Sequence, residues 1–284
     1  MTCDRACLTE IAGRYLEALA ARDPSRLPVT ASFRYTENGQ VLPPGKGLWA
    51  TATGLGPYRL DMADAEAGQV AVLATVQEMG NLVALALRLK VQDEEVSEAE
   101  ALVARFGNPI FAPESLVSPR PELVSEVPVQ ARCSRQDLVR IANLYFDGIE
   151  RDDGTIIPVT DECIRLENGV QTTLNPERQT AVGKMRVAEA ISTGMYGYIA
   201  EIRDRRYPVV DEERGLVFGF VWMEHPGNMK AVEVKGVGKV DLAPFTQKPS
   251  SAYIGELFKV EDGRIRQIEA VLEFLPYGSR SGWD

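Results

Sequence analysis

His225 is the only histidine of the chain, and it closes the run Phe218-Gly219-Phe220-Val221-Trp222-Met223-Glu224. Strand parity puts Gly219, Val221, Met223 and His225 on one face. An imidazole titrates near neutrality, so it suits a general acid or base. The alternative is a surface histidine at a strand end, ahead of the Pro226-Gly227 turn. Arg165, Glu167 and Asn168 stand together in Arg-Leu-Glu-Asn-Gly, with Arg165 and Glu167 on one strand face. An arginine beside a carboxylate can hold an oxyanion or orient a hydroxyl, or serve as a structural ion pair. Arg165 and His225 are expected to line one pocket, the imidazole accepting a proton while the guanidinium holds oxygen charge.

Tyr58, in Gly-Pro-Tyr-Arg, offers a phenol as an acid and is the third catalytic candidate. Substrate contacts are expected from Lys46, Trp49, Glu78 and Arg88 in the first half of the chain. Asn168, Arg203, Trp222 and Tyr277 are expected to supply them in the second half. The strand at 82–90 puts Ala84, Ala86, Arg88 and Lys90 on one face, which suits a roomy pocket wall, a subunit interface or a solvated face. Of Arg203, Arg205 and Arg206, one pointing inward would suit a phenolate or carboxylate. The tail from Pro276 to Trp283 keeps two large aromatics among Gly and Ser, so it is expected to pack over a pocket mouth or a neighbouring subunit.

Several chemistries find no footing. There is no GxSxG, GxGxxG or phosphate loop, and Gly45-Lys46-Gly47 and the 235–239 segment read as turns. Cys3, Cys7, Cys133 and Cys163 form no CxxC pair and no zinc pattern, so no metal is expected. They read as reduced thiols of a cytoplasmic protein, although the i,i+4 spacing of Cys3 and Cys7 places both on one helix face. The start MTCDRACLTE lacks the charged and apolar regions of a signal peptide. A formal net charge of −10 argues against nucleic acid and against anionic membranes as partners.

The elements that must position these residues come twice. At an offset of 130, residues 8–39 match 138–169 at 11 of 32 positions, including Pro-Val-Thr and Glu-Asn-Gly. Chance at about 6% per position gives about two, so a duplicated domain is the reading. Five prolines between 106 and 129 favour an extended connector. The division is therefore 1–106, a connector at 107–132, and 133–284. Each copy opens with a helix: Leu8, Ile11, Ala12, Tyr15 and Leu19 fall at helical spacing, and Ser134 is a plausible N-cap for the second. Strands follow at 33–37, 69–79, 82–91 and 96–103, then at 198–210, 215–224, 231–240, 252–260 and 265–274. The fold class is α+β, two tandem cone-shaped barrels, each a bent antiparallel sheet wrapped on its N-terminal helix. Exposed sheet faces and edges predict a homo-oligomer, dimer or trimer.

The opening helix ending Ala-Ala-Arg-Asp-Pro, the LPVTASFRYTENG segment and the late strands LVALALRLKV and GELFKVEDGRIRQIEAV resemble the nuclear transport factor 2-like, or SnoaL-like, superfamily. CIRLENGVQTT, IRDRRYPVVDEERGLV and PYGSRSGW make the second copy similar to tandem proteins of this type. The resemblance covers the whole chain. It implies a cone with an apolar pocket and chemistry without metal or organic cofactor: a lyase, dehydratase or isomerase working by proton abstraction on a small, largely apolar molecule. Lyases of lignin-derived diarylpropanes, which expel formaldehyde, are one such relative. This fold also hosts binders, so a non-catalytic small-molecule or assembly module is the rival expectation.

Overall fold

The computed structural model describes residues 3–283. Helix α1 (Arg5–Ala21) starts where the Asp4 side chain accepts from the Cys7 amide, and stops at Arg22, which adopts a left-handed conformation. Leu8, Ile11, Ala12, Tyr15 and Leu19 form its buried stripe. The first sheet follows: β1 (Val29–Glu37), β2 (Gln40–Leu42), β3 (Ala52–Asp64), β4 (Gln69–Glu78), β5 (Asn81–Gln92) and β6 (Glu95–Ala104), with the short α2 (Leu48–Thr51) before β3. The connector carries α3 (Pro121–Val124). The second half repeats the plan with α4 (Arg135–Glu150), capped by Ser134, then β7 (Val159–Glu167), β8 (Val170–Gln171), α5 (Ala181–Lys184), α6 (Val187–Ile191), β9 (Glu201–Asp211) and β10 (Leu216–His225). A small hairpin, β11 (Ala231–Val234) with β12 (Gly238–Asp241), precedes β13 (Ser250–Glu261) and β14 (Arg264–Pro276).

The two large sheets have the same order, β2-β1-β6-β5-β4-β3 and β8-β7-β14-β13-β10-β9. In both the first strand pairs parallel with the last, and the other pairings are antiparallel. This is the α+β cone architecture expected, present twice. Register defines equivalent positions. Glu37 faces Ala101, which faces Leu87. Glu167 faces Ala270, which faces Glu256. Leu87 and Glu256 therefore occupy one position of the cone, as do Tyr35 and Arg165.

Each helix packs into the concave side of its own sheet, giving one core per half. A third core lies between the convex sides, where Tyr58, Leu60 and Leu73 meet Phe218, Phe220, Trp222 and Tyr253. Two ion pairs clamp this junction. Arg5 reaches Asp211 at 2.5 Å and Arg135 reaches Asp64 at 2.7 Å. Arg5 and Arg135 stand 130 apart, and each aspartate ends the third strand of its sheet, so one contact is made twice around a pseudo-twofold. The cover that the sheet faces need thus comes from the other half of the same chain.

Some expectations change. Cys3 and Cys7 are joined in a disulfide, with Cα atoms 5.3 Å apart, rather than reduced; one helical turn brings the thiols together. Cys133 and Cys163 are free. The strand expected at 231–240 is the hairpin β11–β12, folded at Lys235-Gly236. The aromatic tail divides: Tyr277 borders a surface pocket with Arg203 and Glu224, while its last part packs on the first half. Trp283 crosses to the first half, where its Nε1 donates to Thr36 at 2.7 Å beneath Arg34 and Arg88. Among the described residues no helix is long and apolar enough to cross a membrane.

Candidate active site

β10 and β13 are buried along nearly their whole length because both faces are covered. Alternation divides their side chains between two destinations. Gly219, Val221, Met223 and His225 face the second cone, as do Ala252, Ile254, Glu256 and Phe258. Phe218, Phe220, Trp222, Tyr253 and Leu257 face the other half. A cavity of about 60 Å3 remains in the second cone, lined by Met223, His225, Ala252, Ile254 and Glu256 together with Tyr145, Arg165, Glu167, Tyr196, Tyr198 and Leu272. Ile110, Phe245 and Phe274 also border it.

One end of the cavity is polar. Arg165 is 5% exposed. Its Nη1 donates to Tyr145 at 3.0 Å, Nη2 to Tyr196 at 2.5 Å and Nε to Thr172 at 2.9 Å, with Glu167 3.6 Å from Nε. Burial opposes its charge, but Glu167 and the two tyrosines outweigh that and raise its pKa. Beside this cluster sits Glu256. Burial pushes its carboxyl up to about 8, the Glu167 charge adds to the rise, and Arg165 and the Tyr145 hydroxyl draw it back. Its Oε2 is buried and has no hydrogen-bond partner.

His225 lines the same cavity at the other end. β10 and β13 pair Gly219 with Glu256 and His225 with Ser250, so six residues of strand, roughly 20 Å when extended, separate the histidine from the carboxyl. The imidazole stacks on Tyr198 at 5.5 Å and leans on Phe274 at 5.7 Å. Burial lowers its pKa to about 4, against the pull of Glu224, so it is neutral at physiological pH. Its Nδ1 is buried without a partner. Arg165 and His225 therefore line one cavity, with Glu256 and His225 well apart along β10 and β13.

The other expected site residues lie elsewhere. Tyr58 is buried between the halves and donates to Glu269. Trp49 fills the first cone, its Nε1 on the Tyr15 hydroxyl at 3.0 Å. Lys46 is exposed in the turn before α2. Glu78 accepts from Thr51 and from Arg105. Arg88 is on the convex face, paired with Glu98 and Glu100. Asn168 is a turn residue with φ 47°, whose side chain ties Ile110 to Leu272; Asn38 bonds Val103 likewise. Arg203 pairs with Glu224 over the Trp222 ring, and Trp222 itself stacks on Tyr253 at 4.2 Å in the junction. Tyr277 is exposed near Arg203. Parity sends Tyr58, Arg88 and Trp222 to the convex side, Trp49 fills the first core, and Asn168 is held in a turn. Among the described residues no group of three His, Cys, Asp or Glu is arranged to hold a metal ion.

Residues 131–272, half of the chain, match the family described as Domain of unknown function (DUF8021). The chain belongs to this family. The DUF8021 match contains β7, β10 and β13, and with them Arg165, His225 and Glu256. No curated protein matches. Solved structures similar to the chain include a de novo designed protein with a curved β-sheet, at 12% identity and TM-score 0.31, covering 36% of this chain and 88% of that one. An LEH-like epoxide hydrolase of M. tuberculosis is 12% identical at TM-score 0.32, covering 49% and 84%. A putative ketosteroid isomerase of Kribbella flavida is 16% identical at TM-score 0.31, covering 43% and 95%.

The raised pKa of Glu256 has a consequence for stability. The folded protein keeps a proton that the unfolded chain releases above about pH 4.5, so this group removes stability as pH rises from there to about 8. Glu256→Gln is expected to melt at least about 3 °C above wild type at pH 8.5, equivalent to about 1 kcal/mol, with the gap closing by pH 4.5. Thermal melts followed by circular dichroism at both pH values check this. A gap independent of pH would mean that the carboxyl is not held protonated.

Proposed function

We propose that the second half is an acid–base enzyme that abstracts a proton from carbon in a small, largely apolar carbonyl compound. The observation that carries the reading is the buried, unpartnered Oε2 of Glu256 at the end of a cavity that also holds Arg165. A carboxylate whose conjugate acid titrates near 8 is a stronger base than an ordinary one, yet a fraction remains ionised at neutral pH. The step begins with substrate oxygen near the Arg165, Tyr145 and Tyr196 cluster. The C–H bond breaks, its proton goes to Glu256, and the electron pair moves to the oxygen, where the guanidinium and phenols stabilise it. Return of the proton to another carbon gives an isomerase. Loss of a group from the β carbon gives a dehydratase or lyase.

The size of the site narrows the substrate. At about 60 Å3 the cavity is far below the roughly 300 Å3 of an ordinary ligand pocket. A two-ring diarylpropane far exceeds the cavity, so the reading is for a compact molecule. His225, neutral and stacked on Tyr198, then shapes the cavity wall away from Glu256 rather than meeting the reacting carbon. His225→Gln is expected to raise KM more than it lowers kcat. A kcat loss on the scale of Glu256→Gln would make it a base instead.

The test is proton exchange. A panel of small ketones and enones in D2O with the purified protein is expected to gain deuterium at the α carbon, followed by proton NMR, and to lose that gain in Glu256→Gln. Binding of panel members without exchange would favour the non-catalytic rival and end the enzymatic reading.

A further inference from the structure

A second cavity, of about 450 Å3, lies between the connector and the β7–β8 turn, apart from the site above. Tyr58 of β3 and Glu269 of β14 form its buried side, 3% and 4% exposed. Tyr58 donates its hydroxyl proton to Glu269. Arg120 of the connector lines the cavity, with Leu116, Leu166 and Val170 as apolar wall.

The pseudo-twofold shows what is unusual here. Ala101 and Ala270 occupy one register position, so their neighbours Glu100 and Glu269 are equivalent. Glu100 is fully neutralised: Arg88 reaches it at 2.9 Å, Arg206 at 2.6 Å, and Tyr253 donates to it. Glu269 has the tyrosine but not the arginines. Leu257 faces it where Arg88 faces Glu100. The guanidinium close enough to act on Glu269 is that of Arg120, half-buried and without a hydrogen bond or ion pair to any described residue. A buried carboxyl and a guanidinium with no side-chain partner among the described residues therefore border one cavity.

We propose that this cavity binds a small organic acid, its carboxylate on Arg120 and its apolar body against Leu116, Leu166 and Val170, with Glu269 donating to the carboxylate. A planar guanidinium matches a carboxylate with two parallel hydrogen bonds. One guanidinium suits a monoanion; a phosphate dianion would find too little countercharge. Glu269 can donate because burial raises it to about 7, with the Tyr58 hydrogen bond and the Arg120 charge drawing it back. This site does not depend on the proton-abstraction reading.

Isothermal titration of the full chain at pH 6 with benzoate, cyclohexanecarboxylate and benzyl alcohol tests it. The two acids are expected to bind and the alcohol not. Arg120→Met is expected to weaken the acids at least about tenfold, and Arg120→Lys by less. The backbone carbonyl of Arg120, which accepts from the Leu123 amide at 3.0 Å, is kept in both variants, and thermal melting checks that they are folded. Glu269→Gln, which keeps a donor in place, is expected to retain binding. No acid binding, equal binding of the alcohol, or unchanged affinity in Arg120→Met would overturn the site. Affinity lost in Arg165→Met but kept in Arg120→Met would place the acid in the other cavity and overturn it equally.

Discussion

Glu256→Gln lowers kcat/KM by about 10²–10⁴-fold on any substrate that exchanges its α proton, the usual worth of a general base. Gln keeps the shape and volume of the side chain, so the loss reads the missing basic oxygen rather than a collapsed cavity. The wild-type pH profile carries the same information. The base must be ionised, and burial holds Glu256 up to about 8. kcat/KM is therefore expected to climb nearly tenfold per pH unit from pH 6 and to level off above about 8. His225, lowered to about 4, contributes no limb in that range. Arg165→Met is expected to cost about 10²–10³-fold, the scale of an oxyanion donor. A profile that is flat, or that falls above pH 8, would rule out Glu256 as the base; a fall would fit it as an acid.

Much of this arrangement was legible in the residues, and the rest was hidden for physical reasons. The offset of 130 carries directly into the structure: α1 and α4 start at Arg5 and Arg135, and β1 and β7 span Val29–Glu37 and Val159–Glu167. Arg165 stood out because the first copy has Tyr35 there. Strand β3, 13 residues long, was not legible because Gly54, Gly56 and Pro57 interrupt its alternation; register shifts between Ala52 and Gly54 and between Leu55 and Arg59 absorb them. Glu256 was missed although a signal existed. In Ala252, Ile254, Glu256, Phe258, Val260 it is the one carboxylate in an apolar alternate column. Tyr145 packs in the second core and also accepts from Arg165. Tyr58, Arg88 and Trp222 looked like pocket residues because sequence shows that a position is buried but not which side of a sheet another sheet will cover. Only the convex-to-convex junction of the halves settles that, and it depends on contacts more than a hundred residues apart.

Trp49→Ala is expected to cost about 3–5 kcal/mol of stability. The reason lies in what the first half does with the equivalent interior. There Leu87 replaces Glu256 and Tyr35 replaces Arg165. Glu37 accepts from Tyr35 at 2.7 Å, from the Leu48 amide at 2.6 Å and from Arg105 at 2.8 Å. Trp49, 2% exposed, lies edge-on to Tyr15 at 5.0 Å and donates to its hydroxyl. Each of these polar groups has a partner, and the indole fills the interior of the first cone. Truncation to Ala leaves a void and an orphaned Tyr15 hydroxyl. Trp49→Phe keeps most of the apolar volume, and its loss of the hydrogen bond is expected to cost only about 1–2 kcal/mol. Urea unfolding of the three proteins measures the series, and a Trp49→Ala cost under about 1 kcal/mol would mean that the first cone is not held by its filling. The opposite sign expected for Glu256→Gln at alkaline pH then follows from the same physics. A satisfied interior loses stability when it is cut. An interior that keeps a buried carboxyl with one oxygen unpaired gains stability when that group is neutralised and loses the group that gives it chemistry.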